Sequence, residues 1–179
     1  MSCAELIDLG FEARRAGRPA EAVRLFSEAV ASSREPRRRR EHIRALKGLG
    51  QIQRDEGELE SALVAYEEAT RLCRDEGDEL LHAHTVRHVG DIQMDAGRLD
   101  SARACIEEAL EIYRRKDNRR PGDFANALRS AAILREMLGE ASESRTTWEE
   151  ARAMYAKVEM STAVAECDAH IAGLESDRG

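Results

Sequence analysis

The sequence predicts an all-α protein, a right-handed solenoid of four antiparallel helix pairs closed by a C-terminal capping helix. The first observation is a set of glycines spaced 40, 40 and 42 residues apart, at Gly17, Gly57, Gly97 and Gly139. Self-similarity at a period of this size is typical of helical repeat arrays. The second is that apolar residues recur at spacings of three and four on both sides of each glycine. That period indicates an amphipathic helix before and after every turn.

The chain divides into one array of four repeats, 1–35, 36–77, 78–117 and 118–158, with the capping helix at 159–179. In repeat one, the predicted apolar stripe of the first helix consists of Leu6, Leu9 and Ala13. Gly17 ends this helix, where a left-handed residue is needed. Pro19 opens the return helix, since a missing N–H costs little in the first helical turn.

The later repeats start at similar signals. Repeats two and four begin near Pro36 and Pro121, and repeat three begins at Asp78, a residue type that is favoured as an N-cap. The last helix starts at about Ser161, and its apolar face comprises Val164, Cys167, Ile171 and Leu174. Because its other positions are polar, it suits the open end of a stack.

A second set of glycines lies inside the first helices. Gly10, Gly50 and Gly90 each stand seven residues before a turn glycine, and Ala132 holds the equivalent place in repeat four. A glycine within a helix costs about 1 kcal/mol relative to alanine. Its recurrence in phase predicts that the return helix approaches closely at this point.

These residues resemble the tetratricopeptide repeat. The family's order of Leu-Gly, turn Gly, small residue, bulky residue and Ala occurs in three repeats and partly in the fourth, although the usual period is about 34 residues. The 40-residue period is similar to the long-helix variety of kinesin light chains and bacterial regulatory arrays. The resemblance implies a non-catalytic scaffold or adaptor that binds a protein segment on its concave face, which the first helices line.

Composition narrows the class of partner. A net charge of −7 opposes binding to nucleic acid and to anionic membranes, and an aromatic content of 4% leaves little to stack on bases. No apolar run approaches the length of a membrane span, and the N-terminus does not look like a signal peptide. The four cysteines are scattered, which indicates reduced thiols. We therefore expect a cytoplasmic protein.

No catalytic, cofactor or metal site is predicted. The glycines Gly48 and Gly50 begin like a dinucleotide fingerprint, but the third glycine and the preceding strand are missing. His82, His84 and His88 form a cluster without the further ligands that a structural metal site needs. We interpret them as surface histidines of the binding face.

The concave face is the predicted partner site. Lys47, Arg87 and Arg129 each lie ten residues before a turn glycine, so they occupy equivalent places on neighbouring first helices. We expect them to be exposed and to bind an extended peptide or a helix that carries carboxylates. The predicted partner-binding residues are Arg44, Lys47, Gln51, His84, Arg87, His88, Asp91, Asn126 and Arg129.

Alternatives remain open. Some members of the family bind chaperone tails through a clamp of five residues on three successive repeats. When the clamp positions are placed on this sequence from repeat two onward, only Lys47 is retained, so a chaperone-tail receptor is not supported. The basic runs Arg37–Arg40 and Arg114–Arg120 are either a second binding edge or solvated connectors; we favour connectors. The chain could also form a homo-oligomeric structural array, or a module that senses a peptide or metabolite.

Overall fold

The computed structural model describes residues 1–176, and this part of the chain contains nine α-helices and no β-strand. The helices are α1 (Cys3–Arg15), α2 (Pro19–Ser32), α3 (Arg39–Asp55), α4 (Leu59–Glu76), α5 (Glu79–Asp95), α6 (Leu99–Arg115), α7 (Pro121–Met137), α8 (Ala141–Lys157) and α9 (Ser161–Ser176). Each helix packs against the next one in the chain, and α1 also contacts α3, as α5 contacts α7. The predicted all-α solenoid is confirmed.

The predicted capping helix extends to 179, and its last three positions lie outside the described residues. A 3₁₀ helix, Pro36–Arg38, precedes α3, so Pro36 does not begin an α-helix itself. Within the described range, no helix is both long and apolar enough to cross a membrane.

The turns within the helix pairs share one geometry. Their glycines have φ values of 66°, 80°, 72° and 75°, at Gly17, Gly57, Gly97 and Gly139. In the first turn, the amide of Arg18 donates to the carbonyl of Ala13 at 2.9 Å, and the same bond recurs in the other three. This pattern is the Schellman motif, which needs a left-handed residue and therefore favours glycine.

Two helix starts are capped by side chains. Ser2 and Glu5 form a capping box at α1, in which the Ser2 amide donates to the Glu5 carboxylate at 2.8 Å. The amide of Leu81 donates to Asp78 Oδ1 at 3.0 Å, which confirms the predicted N-cap of α5. Pro19 is the first residue of α2, as predicted, and Pro121, which was expected near a helix start, is the first residue of α7.

The glycines inside the first helices allow the predicted close approach. A Cβ atom built at Gly50 would lie 2.6 Å from the Tyr66 ring, and one at Gly90 would lie 2.7 Å from Ile106. Gly48 serves the junction between repeats, because a Cβ there would lie 2.3 Å from Phe26 on α2. The helices can therefore pack this closely, both within and between repeats, because glycine has no side chain at these positions.

Leu9 corrects the predicted stripe of α1. The side chain is 40% exposed, whereas Leu6, Ile7 and Gly10 are buried. At 3.6 residues per turn, the buried face is centred between Leu6 and Ile7, and position 9 falls outside it.

Ion pairs join successive repeats at equivalent positions. An arginine three residues before one turn glycine meets an aspartate two residues before the next. Arg14 pairs with Asp55 at 2.6 Å, and Arg54 pairs with Asp95 at 2.5 Å. Both pairs link neighbouring first helices and so help to fix the spacing along the stack.

Candidate partner-binding face

The predicted binding residues lie on the first helices of repeats two to four. Arg44, Lys47 and Gln51 are on α3, His84, Arg87, His88 and Asp91 on α5, and Asn126 and Arg129 on α7. Apart from the adjacent Arg87 and His88, successive members on each helix are three or four residues apart, so they lie on one side of the helix. We call these nine residues the candidate face.

Arg87 is buried, with 7% of its surface exposed, and the prediction that it faces solvent is wrong. Its guanidinium donates to the Asp91 carboxylate at 2.6 Å and to Nε2 of His88 at 2.6 Å. The His88 ring in turn stacks on Tyr66, with 5.0 Å between ring centroids. Arg87 thus belongs to a buried polar network that joins α5 to the second repeat.

The histidines are not solvated surface groups, as the sequence analysis expected. Burial, followed by the charges of Lys47 and Arg87, lowers the pKa of His84 to about 3. The pKa of His88 is also held well below its usual range, by burial first and then by Arg87. Both imidazoles are therefore neutral at pH 7, and they add no positive charge to the face.

His82 is also buried, and its Nε2 lies 2.7 Å from the Glu108 carboxylate of α6. It supports the packing of the third repeat and does not belong to the face. The described residues include no group of three His, Cys, Asp or Glu side chains that could hold a metal ion.

The outer members of the face are paired within the array. Arg44 meets Asp8 at 2.6 Å, and its guanidinium lies over the Phe11 ring at 5.7 Å. Arg129 Nε donates to Glu166 of α9 at 2.9 Å. Asn126 is occupied by a partly buried contact, since its Oδ1 accepts a hydrogen bond from the Tyr155 hydroxyl at 2.7 Å. Gln51 is half-buried.

Lys47 differs from these arginines. It is half-buried and forms no ion pair with any carboxylate in the described part of the chain. Burial lowers its pKa to about 8, with a smaller contribution in the same direction from Arg87. At pH 7 the ammonium group is still largely protonated, so the middle of the face holds a cation without a partner.

Lys47 also lines a pocket that the sequence analysis did not predict. Its volume is about 370 Å³, and its polar lining residues are Lys47, Asp78, His84, Tyr113, Asn118, Arg120 and Asp123. Several of them come from the return helix α6 and from the connection to α7, not from first helices. The sequence analysis considered only first helices and therefore did not include these residues. The signal that could have located Arg120 and Asp123 is Pro121, which marks a helix start between them.

Family models now decide the identity of the repeats. Two models of the tetratricopeptide repeat match the chain, over residues 2–75 and 88–116, together more than half of its length. The chain belongs to the tetratricopeptide repeat family. No curated protein sequence matches it significantly.

Solved structures share this fold at low sequence identity. BtubC (BKLC) from P. vanneervenii is 17% identical with a TM-score of 0.72, covering 98% of this chain and 80% of that one. The apo form of RapI is 13% identical with a TM-score of 0.84, and the match covers 92% of this chain and 60% of the RapI chain. Nearly identical TPR-like repeats of a putative kinesin light chain from Podosopora anserina are 15% identical with a TM-score of 0.75, covering 98% and 86%.

These similarities show a tetratricopeptide-like solenoid, and the chain spans 60% of the RapI chain. Tetratricopeptide repeat proteins generally mediate protein–protein interactions and are typically non-catalytic scaffolds. The long helix pairs match the predicted 40-residue variety, with 17 residues in both helices of repeats three and four.

Proposed function

We propose that this tetratricopeptide array is a non-catalytic scaffold or adaptor that binds a peptide or helix of a partner protein on the candidate face, through acidic residues of the partner. Membership of the family supports the general role. The charge of Lys47 supports the acidic character of the partner.

Lys47 is the observation that carries the proposal. Of the six basic residues predicted for the face, three are paired with carboxylates, and His84 and His88 are neutral. Lys47 remains charged and half-buried without a counter-ion among the described residues. A carboxylate that reaches it from a partner forms a charge-assisted contact and offsets an existing desolvation cost.

The paired arginines at the two ends of the face are secondary contacts. The Arg44–Asp8 pair is exposed, with side-chain exposures of 52% and 60%, and the Arg129–Glu166 pair is partly exposed. Exposed pairs contribute only about 0–1 kcal/mol, so a partner carboxylate can replace the internal one at little cost. We do not expect Arg87 to contact the partner segment directly, because its guanidinium is buried and paired with Asp91.

A charge reversal at Lys47 tests the proposal. Once a partner segment has been identified by pull-down from the native cell, Lys47→Glu should weaken its binding at least about tenfold, because a charge-assisted contact contributes about 1.5–3 kcal/mol. Calorimetric titration measures the change. Arg38→Glu, on the basic edge outside the face, is the control and should change affinity much less. Unchanged affinity of the Lys47 variant would show that the segment binds elsewhere.

The pH dependence provides an independent test. A bound carboxylate favours the protonated lysine, so affinity should be full below pH 8 and should fall as the pH rises through the lowered pKa of about 8. In Lys47→Arg the guanidinium stays charged throughout, and the decline should disappear. Equal pH profiles for the two proteins would contradict a contact at position 47.

A further inference from the structure

A pocket beside Lys47 contains polar groups that the array itself does not satisfy. It lies between the start of α5, the end of α6 and the connection from α6 to α7, and Lys47 of α3 forms one side. Its volume of about 370 Å³ falls at the lower end of ligand sites, which usually measure about 300–1,000 Å³. It is thus large enough for a small molecule but not for a folded segment.

The Tyr113 hydroxyl is the first unsatisfied group. Tyr113 is 1% exposed, and its hydroxyl has no hydrogen-bond partner among the described residues. A buried hydroxyl without a partner is costly, and such groups are rare in native proteins. The residue lines the pocket, so a ligand there is the available source of an acceptor.

Comparison among the repeats shows that this hydroxyl is the exception. The residue sixteen positions after the turn glycine is Ser33, Cys73, Tyr113 or Tyr155. Ser33 is bonded to His42 at 3.0 Å, Cys73 contacts Thr85 at 3.6 Å, and Tyr155 donates to Asn126 at 2.7 Å. The partner in each case is a side chain of a first helix. Tyr113 alone of these four lacks one.

Two cations at the pocket also lack ion-pair partners. Neither Lys47 nor Arg120 forms an ion pair with a carboxylate in residues 1–176. Burial is the main cause of the low pKa of the pocket residue His84, and the charges of Lys47, Arg87 and Arg120 lower that pKa as well. The pocket therefore has a positive region that suits a carboxylate.

Acidic groups line the pocket as well. Asp123 approaches Nδ1 of the neutral His84 only at 3.8 Å, too far for a hydrogen bond, and Asp78 uses one oxygen to cap α5. Two lysine or arginine charges and two aspartate charges make the lining neutral overall. A dianionic phosphate is disfavoured in such a site, whereas a molecule with one carboxylate and one ammonium group matches both signs.

We propose that this pocket binds a small zwitterion of the size of an amino acid or dipeptide, whose carboxylate is held by Lys47, Arg120 and the Tyr113 hydroxyl and whose ammonium group faces Asp78 and Asp123. The partly buried Leu80 and Leu81 also line the pocket and provide a surface for an apolar side chain. This site goes beyond the proposed function, because its ligand is a free small molecule and not a segment of a partner protein.

Thermal shift and calorimetry with the intact chain test this inference. The probes are the protein amino acids and dipeptides with one apolar residue, each at millimolar concentration. At least one should raise the melting temperature in a concentration-dependent way. Its C-terminal amide and its N-acetyl derivative, which each lack one charge, should bind at least about tenfold more weakly. If no probe binds, or if the amide binds equally well, the inference is wrong.

Variants then locate the site. Tyr113→Phe and Lys47→Met should each weaken binding about tenfold, because each removes a contact to a charged group. Tyr155→Phe is the matched control: it deletes a hydroxyl at the equivalent position of the next repeat and should leave the ligand's affinity unchanged. Equal affinities for the Tyr113 and Tyr155 variants would overturn the assignment. Tyr113→Phe should not affect a protein segment on the candidate face, so failure here is distinguishable from failure of the proposed function.

Discussion

Tyr66 links the packing of the second repeat to the candidate face. Its ring occupies the space that Gly50 leaves open, and its other side stacks on His88. His88 in turn accepts a hydrogen bond from Arg87. A change that displaces this ring would therefore also disturb the polar network of α5.

Gly50→Ala should destabilise the protein by up to about 2 kcal/mol. The new Cβ would lie 2.6 Å from the Tyr66 ring and 3.2 Å from the Ala62 carbonyl oxygen. The cost of this overpacking outweighs the helix-propensity gain of about 1 kcal/mol from replacing glycine by alanine. Urea denaturation followed by circular dichroism measures the difference. Gly173→Ala in α9 is the control, because nothing lies near a Cβ there; it should be neutral or stabilising. A Gly50 variant as stable as the wild type would refute the close approach.

The connection between α8 and α9 shows how an element forms without its usual residue. It repeats the Schellman pattern of the other turns, with Met160 N donating to Tyr155 O at 3.1 Å, but Glu159 has the left-handed conformation, at φ 58°. A residue with a side chain pays about 1–2 kcal/mol in this region. The packing of α9 against α8 offsets that cost.

Glu159→Gly should therefore stabilise the protein by about 1 kcal/mol, since glycine adopts this conformation without steric strain. The fluorescence of Trp148, the single tryptophan, reports unfolding of the adjacent repeat during urea titration. The reciprocal change, Gly139→Glu in the preceding turn, should destabilise by a similar amount. If both substitutions shift the midpoint in the same direction, backbone conformation does not determine the stability of these turns.

At the scale of the whole molecule, stability depends on the contacts between neighbouring repeats, as in other solenoids. Arg54 is central to the contact between repeats two and three, because it pairs with Asp95 at 2.5 Å and approaches Asp91 at 3.7 Å. It thereby connects α3 to the same carboxylate that holds Arg87.

Arg54→Met should lower the stability of the array by about 1 kcal/mol, because two acidic groups of α5 lose a partner while the aliphatic packing is kept. Chemical denaturation of the intact chain measures the loss. Arg24→Met, which removes an exposed pair within α2, should cost less than about 0.5 kcal/mol. A loss no larger than that of the control would mean that the inter-repeat pairs do not couple the repeats.

The sequence by itself determined the features that depend on local spacing. The turn glycines predicted four left-handed turns, the periodic apolar residues predicted the helices, and Gly50 and Gly90 predicted close helix contacts. Backbone conformation and helix periodicity depend on residues only a few positions apart, so one sequence is sufficient to recognise them. Glu159 could not be predicted in the same way, because glutamate carries no turn signal.

Only the tertiary structure decided which polar groups of the candidate face are satisfied. Arg87 was predicted to be exposed, but α5 is covered by α4, α6 and α7, so most of its positions are buried. Arg44 and Arg129 are not free for a partner, because they pair with Asp8 and Glu166, which lie 36 and 37 residues away in the sequence. Lys47 and Tyr113 lack the partners that Arg87, Arg129 and Tyr155 have at the equivalent positions of other repeats. Pairing and desolvation depend on distances between separate helices, and those distances are set by the packing of the whole stack.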